Sequence, residues 1–211
     1  PSPSAARIAE SVSKRPQWGL GRKGQLANGS QAMELSPRQV MGGGLHAVAV
    51  AAGADHTCVL DANGQLWCVS ISTAQRTPLS ATPRLPSRRT FGFQICCGHG
   101  EQQAEVQLMP LRVEALAQGG HRVHLLAAGR FCTLVLNTAG LVLAWGRVWD
   151  ANGAETRLFV PSVLQPPLRA NERVRELCAS RASHTLALVT DGGRLLTLSR
   201  GVGWAQRNPP Q

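Results

Sequence analysis

No stretch of this 211-residue sequence approaches the roughly 20 consecutive apolar residues that a membrane-spanning helix needs. No charged-then-apolar leader opens it either. The expectation is a protein neither secreted nor membrane-embedded, with an intracellular setting, cytoplasmic or nuclear. Charged residues amount to only 16%, too few for a solvating disordered chain. Runs of one charge are missing, since nothing exceeds the pair Arg88-Arg89. Lysine is nearly absent: Lys14 and Lys23 stand among 22 basic residues, and the rest are arginines. The six cysteines are too few and too irregularly spaced for a secreted disulfide framework. Cys58, Cys132 and Cys178 lie in apolar runs and are expected as small buried hydrophobes. There is no nucleophile–base–orienter set and no carboxylate pair flanking a cleft. No enzyme is therefore expected in this segment, and no catalytic, cofactor-binding or metal-binding residues.

What is present is a core-forming 43% of hydrophobic residues, punctuated by 22 glycines and 13 prolines. That composition favours many turns over long helices. A net charge of +10 suits nucleic acid or an acidic partner. Its arginine-dominated scatter along the chain is also what GC-rich coding leaves behind.

Three segments align with one another. They are Val50-Ala51-Ala52-Gly53-Ala54-Asp55-His56-Thr57-Cys58-Val59-Leu60, then Leu126-Ala127-Ala128-Gly129-Arg130-Phe131-Cys132-Thr133-Leu134-Val135-Leu136, then Cys178-Ala179-Ser180-Arg181-Ala182-Ser183-His184-Thr185-Leu186-Ala187-Leu188. A turn glycine follows each at the same offset: Gly64, Gly140 and Gly192, the last trailed by an extra Gly193. Period-2 alternation around Thr57 and Thr133 predicts strands. Asp61-Ala62-Asn63-Gly64 and Asn137-Thr138-Ala139-Gly140 predict hairpins. Each unit reads as a small antiparallel sheet, stable only when stacked on neighbours.

Trp18-Gly19 and Trp145-Gly146 mark the return path, and Trp18, Trp67 and Trp145 are expected in the core. His56 to Cys132 spans 76 residues and Cys132 to His184 spans 52. Setting residues 69–96 aside as a Pro/Ser/Arg-rich surface insertion brings the two spacings together. Cys97-Gly98 then fall where Trp145-Gly146 fall in the next unit.

The set comprises Trp18-Gly19, the loop ending Gly24-Gln25-Leu26-Ala27-Asn28-Gly29, a Pro-x-x-Val, and Ala-Gly-x-x-His-Thr before a hairpin. Together these resemble the repeats of the regulator of chromosome condensation family, over residues 17–68 and 97–200. Departures are Cys132 for the histidine, Arg181 for the glycine, Leu198-Ser199 for the last Trp-Gly, and Trp149-Asp150-Ala151-Asn152 without the Gly-Gln-Leu loop. The resemblance implies an all-β fold: part of a seven-bladed propeller, about three to four blades of four-stranded antiparallel sheets. Residues 1–16 are expected as a linker or truncated blade, 17–200 as repeats and 201–211 as a tail. Trp18, Gly19, Gly24, Gln25, Leu26, Gly53, His56, Thr57, Gly64, Gly129, Thr133, Gly140, Trp145, Gly146, His184, Thr185 and Gly192 are expected to serve the repeat structurally.

Weaker patterns have plainer explanations. Gly19-x-Gly21-x-x-Gly24 lacks the strand before and helix after that a dinucleotide site needs. Cys68, Cys96, Cys97 and His99, like His121 and His124, are poorly spaced for zinc. His56 and His184, with Asp55, Ser183 and Asp191 nearby, sit at repeat positions and read as struts between blades. The leading functional expectation is a protein-interaction scaffold whose partner-binding residues the sequence does not single out. Family analogy adds guanine-nucleotide exchange on a small Ran-like GTPase with chromatin contact. It also adds a substrate-recruiting part of a larger ubiquitin ligase or kinase.

Overall fold

The computed structural model describes residues 16–22, 24–39, 46–69, 94–99, 108–182 and 185–207. Most of them lie in antiparallel strands. β1 (Pro16–Gly19) and β2 (Glu34–Gln39) form a two-stranded sheet. Three four-stranded sheets follow. Blade I holds β3 (Ala47–Ala52), β4 (Thr57–Asp61), β5 (Leu66–Val69) and β6 (Leu111–Arg112). Blade II holds β7 (Val123–Ala128), β8 (Cys132–Asn137), β9 (Val142–Trp149) and β10 (Glu155–Val163). Blade III holds β11 (Val174–Ala179), β12 (Leu186–Thr190), β13 (Leu195–Ser199) and β14 (Gly203–Arg207). A 3₁₀ turn at Gln94–Cys97 and the short helix α1 (Glu114–Gln118) lie between β5 and β7. In every blade the strands pair in chain order, and β7 touches both β3 and β11. The first strands of neighbouring blades therefore stand side by side at the inner rim. Residues 203–207 fell in the expected tail but complete blade III as its outer strand.

Burial follows from stacking. Blade II is covered on both sides, so every residue of β8 is buried. Cys58, Leu60, Leu66 and Cys68 of blade I pack against Val135, Leu143 and Trp145. The opposite face of blade II, with Cys132, Leu134, Leu136 and Ala144, packs against Leu186, Leu188, Leu196 and Leu198. Among the described residues, blade III is covered on one side only. Its β12 accordingly alternates buried and half-buried residues with period 2.

Blade III also corrects the repeat alignment. Thr57 lies opposite Val69, Thr133 opposite Trp145, and Leu186 opposite Leu198. Leu186 therefore takes the place of the two threonines. Thr185, not His184, takes the place of His56 and Cys132, and Ser180 that of Gly53 and Gly129. Residues 183–184 themselves lie outside the described set. The one-residue slip turns the leucines of blade III toward blade II and small residues toward the open face. Cys178, expected as buried, sits on that open face opposite Ala187 and is exposed.

The slip is set at the hairpin. Gly64 N donates to Asp61 O, Gly140 N to Asn137 O, and Gly193 N to Thr190 O. Gly193, with φ 73°, is thus the counterpart of Gly64 (75°) and Gly140 (83°), and Gly192 is not. Nothing lies within 4 Å of a methyl group placed on Gly193. Gly193→Ala is accordingly expected to cost about 1–2 kcal/mol through the positive φ alone. Gly192→Ala should stay within about 0.5 kcal/mol. Urea midpoints of the two variants check the ordering.

Two further expectations shift. Val69, fully buried, holds the sheet position assigned to Cys97. Cys96 and Cys97 instead close the 3₁₀ turn against β9. Most of the 69–96 stretch, residues 70–93, lies outside the described residues. Trp18, expected in the core, is 61% exposed, and Trp67 is half-buried. The reason is stacking: Trp145 is enclosed by blade I, whereas the β1–β2 sheet has no described sheet over the face that carries Trp18.

Candidate functional site

The repeat residues converge at the seams between blades. Gly53 N donates to His56 O at 2.9 Å and Gly129 N to Cys132 O at 2.8 Å, which folds each second strand tightly back from the first. The His56 ring is thereby buried across the seam, with Nε2 3.0 Å from Thr133 Oγ1. Thr133 donates its one hydroxyl proton to Cys96 O at 2.8 Å. Its oxygen must then accept from His56 Nε2–H, which fixes the tautomer. Trp145 Nε1 donates to the same Cys96 carbonyl at 2.7 Å. One seam earlier, Thr57 Oγ1 donates to Gln25 O at 2.7 Å. Each threonine thus ties its blade to the chain running in front of it.

This network is a strut. The proton that a catalytic histidine would remove from Thr133 is committed to a carbonyl. Burial pushes the Cys132 thiol up to about 11, leaving no ready nucleophile at the equivalent position. Leu26 is buried beneath the Gly24-Gln25 turn, where Gly24 N donates to Gly21 O at 2.7 Å. A methyl group on Gly21 would overlap the Ala32 carbonyl, and the glycine loop leads into β2, not a helix. No phosphate cradle results. Among the described residues no group of three His, Cys, Asp or Glu is placed to hold a metal ion. Asn137 uses its carbonyl on Leu141 N and its amide on His121 Nδ1, which occupies that ring. Sequence reasoning missed the Cys96 carbonyl, because no pattern announces a backbone acceptor beside an insertion.

At the far end of blade III, Glu172 accepts from Arg169 N (2.8 Å), Thr190 Oγ1 (2.6 Å) and Arg194. These bonds, the backbone one foremost, hold its carboxyl below the usual range. A lowered folded pKa stabilises the fold above the unfolded value and loses that contribution as pH falls through the folded value. Glu172→Gln should therefore flatten the acid limb of a stability–pH curve below the ordinary carboxylate range. An unchanged acid limb would show that the cluster contributes nothing.

Strands one and two of a blade, and strands three and four, are joined at the same end of the sheets. That end collects residues 20–22, 24–33, 53–56, 129–131, 150–154, 180–182 and 200–202. It displays Trp18 (61% exposed), Leu20 (57%) and Met33 (53%). Arg22, Arg130, Arg181 and Arg200 are exposed there as well. A cleft of about 450 Å³ opens between Trp18, Leu20, His56 and Arg181. The opposite end carries Glu114, Glu172 and Asp191 together with exposed Arg122, Arg169 and Arg173, and Glu114 and Glu172 are ion-paired with Arg112 and Arg194.

Comparison with known proteins agrees with this geometry. Residues 17–60 match the family of the regulator of chromosome condensation (RCC1) repeat. Human WBSCR16 superposes with a TM-score of 0.71 at 19% identity, covering 94% of this chain and 49% of its own. Prp20p from Saccharomyces cerevisiae, in a study of its binding to Gsp1p and histones, gives 0.65 at 17%, covering 92% and 44%. Yeast RCC1 (Prp20) bound to Kap60 gives 0.64 at 17%, covering 87% and 40%. The chain thus spans about half the length of the solved structures it matches, or less. Residues 17–60 match the regulator of chromosome condensation (RCC1) repeat, and the chain as a whole has the fold of part of a β-propeller.

Proposed function

We propose that the chain is a protein-interaction scaffold that engages an acidic protein surface through the loops at the Trp18 end of its blades. The observation that carries this reading is the conjunction of exposed Trp18, Leu20 and Met33 with exposed Arg22, Arg130, Arg181 and Arg200 on a rigid stack. Aromatic and arginine side chains are the residues that dominate binding energy in interfaces. Loops on a rigid frame are also where recognition usually resides. The test compares capture of a purified Ran-like GTPase, and of an acidic control protein, by three proteins. These are the unmodified chain, a Trp18→Ala/Leu20→Ser/Met33→Ser variant, and a variant with the opposite end altered at Gln118 and Arg122. Loss of capture confined to the first variant supports the proposal; capture unchanged by alteration of either end overturns it.

A second reading is supported by the likeness to Prp20p, studied for its binding to Gsp1p and histones. In it, the full-length protein promotes guanine-nucleotide exchange on a small Ran-like GTPase and contacts chromatin through its +10 charge. Nucleotide-release kinetics separate the two: no acceleration over the intrinsic rate removes the exchange reading. A flat salt dependence of DNA binding removes the phosphate contacts.

A further inference from the structure

We propose that Cys58 and Cys68 are a built-in oxidation site, a dithiol that a hydroperoxide converts into a cross-strand disulfide pinning β5 to β4 in blade I. The proposal is independent of any binding partner. The two cysteines lie symmetrically about the Asn63-Gly64 turn and face each other in the ladder. Asp61 N donates to Gln65 O, and hydrogen-bonded pairs alternate with non-bonded ones along an antiparallel ladder. Leu60/Leu66 and Cys58/Cys68 are therefore non-hydrogen-bonded pairs, the class in which facing side chains come closest. The sulfurs are 2.6 Å apart and both side chains are fully buried. The pairs at the same register in the other blades are Leu134/Ala144 and Ala187/Thr197, which makes the device specific to blade I.

The two thiols are also unlike. Burial by itself raises both. Around Cys58 it is outweighed chiefly by hydrogen bonding from Cys68, with the nearby His56 ring adding to it, so the Cys58 thiol falls below the ordinary range. Burial and the facing Cys58 hold Cys68 well above that range. Cys58 is then the attacking sulfur and Cys68 the resolving one. The Cys58 thiolate attacks one oxygen of hydrogen peroxide, the O–O bond breaks, the Cys58 sulfenic acid forms, and the leaving hydroxide takes up the proton that the Cys58 thiol had released, giving one water. The Cys68 thiol attacks the sulfenic sulfur, the S–S bond forms, and a second water leaves carrying the Cys68 proton. Two thiols are oxidised and one peroxide is reduced to two waters. Hydrogen peroxide is close to water in size and reaches the pair through local opening of the blade.

The experiment uses the unmodified full chain. Reduced protein is treated with hydrogen peroxide, alkylated, and digested without reductant by trypsin and an aspartate-directed protease. Cleavage at Asp61 places the two cysteines on separate peptides. The expected result is a peptide pair joined through Cys58 and Cys68. Alkylation at both sites is lost in parallel and restored by dithiothreitol. Three outcomes overturn the proposal: both thiols still alkylated at peroxide levels that consume the exposed Cys178, Cys68 joined to Cys96 or Cys97 instead, or irreversible oxidation of Cys58 without a joined pair.

Discussion

Gly53→Ala is expected to lose about 2–3 kcal/mol of stability, at the upper part of the usual range for overpacking a tight site. A methyl group there would overlap the His56 ring and lie 2.6 Å from Gly129 O. The ring cannot withdraw without giving up its bond to Thr133, and the Gly129 carbonyl belongs to the next blade's inner strand. The loss is therefore shared between a displaced seam and a broken hydrogen bond. At Gly129 the corresponding methyl meets Cys132 Sγ at 2.7 Å and Ala179 Cβ at 3.3 Å. A thiol swings aside more easily than an imidazole, so Gly129→Ala should cost less. Blade III supplies a natural control, since Ser180 already carries a Cβ at the equivalent place and Thr185 stands where His56 does. Adding His56→Thr to Gly53→Ala should accordingly recover part of the loss, and chemical denaturation of the single and double variants checks it. A double variant no more stable than Gly53→Ala would show that the clash lies in the backbone and not in the ring.

How far the fold can be read from sequence divides along a physical line. Features set within a few residues are legible. Asp61-Ala62-Asn63-Gly64 specifies a turn because Asp61 Oδ1 accepts from Asn63 N and Gln65 N, and Gly64 supplies the positive φ. The alternation around Thr57 and Thr133 specifies strands whatever lies beyond them. Features set by what covers a residue are not legible in the same way. Trp18 and Trp145 have the same sequence neighbour, a following glycine, and opposite burial, because only one of them has a blade over it. Asp191-Gly192-Gly193 offers two turn glycines, and the choice falls to the leucine face that packs on blade II. That choice puts Thr185 in the place of His56 and Leu186 in that of Thr57. β14 carries no repeat pattern at all. Gly203 instead fits the blade II turn, where a methyl group would overlap the Ala151 carbonyl and Gly201 N donates to Gly153 O. At the candidate site, the repeat residues are legible one by one. Their meeting at the Cys96 carbonyl is not, because it depends on where the chain returns after residue 93.

The contrast between the two tryptophans can be measured directly. Trp145→Ala removes a fully buried side chain from the seam between blades I and II, against Leu143, Val135 and the blade I residues Cys58, Leu60 and Cys68. Large-to-small changes of this kind cost about 3–5 kcal/mol, because the lost transfer energy is joined by an unfilled cavity. Collapse is limited here, since the surrounding atoms belong to two separate sheets that must keep their own registers. Trp145→Phe keeps most of the volume but gives up the Nε1–H bond to Cys96 O. That carbonyl still accepts from Thr133, so the cost should be nearer about 1 kcal/mol. Trp18→Ala, at an exposed position, should change stability by less than about 0.5 kcal/mol, although it removes a tryptophan from the same Trp-Gly motif. In a chain of this size each kcal/mol moves the thermal midpoint by about 2–4 °C, so the three variants separate clearly in one melting series. A Trp18→Ala loss equal to that of Trp145→Ala would mean that the β1–β2 sheet is covered in solution. Trp18 would then belong to a blade seam and not to the binding end of the stack.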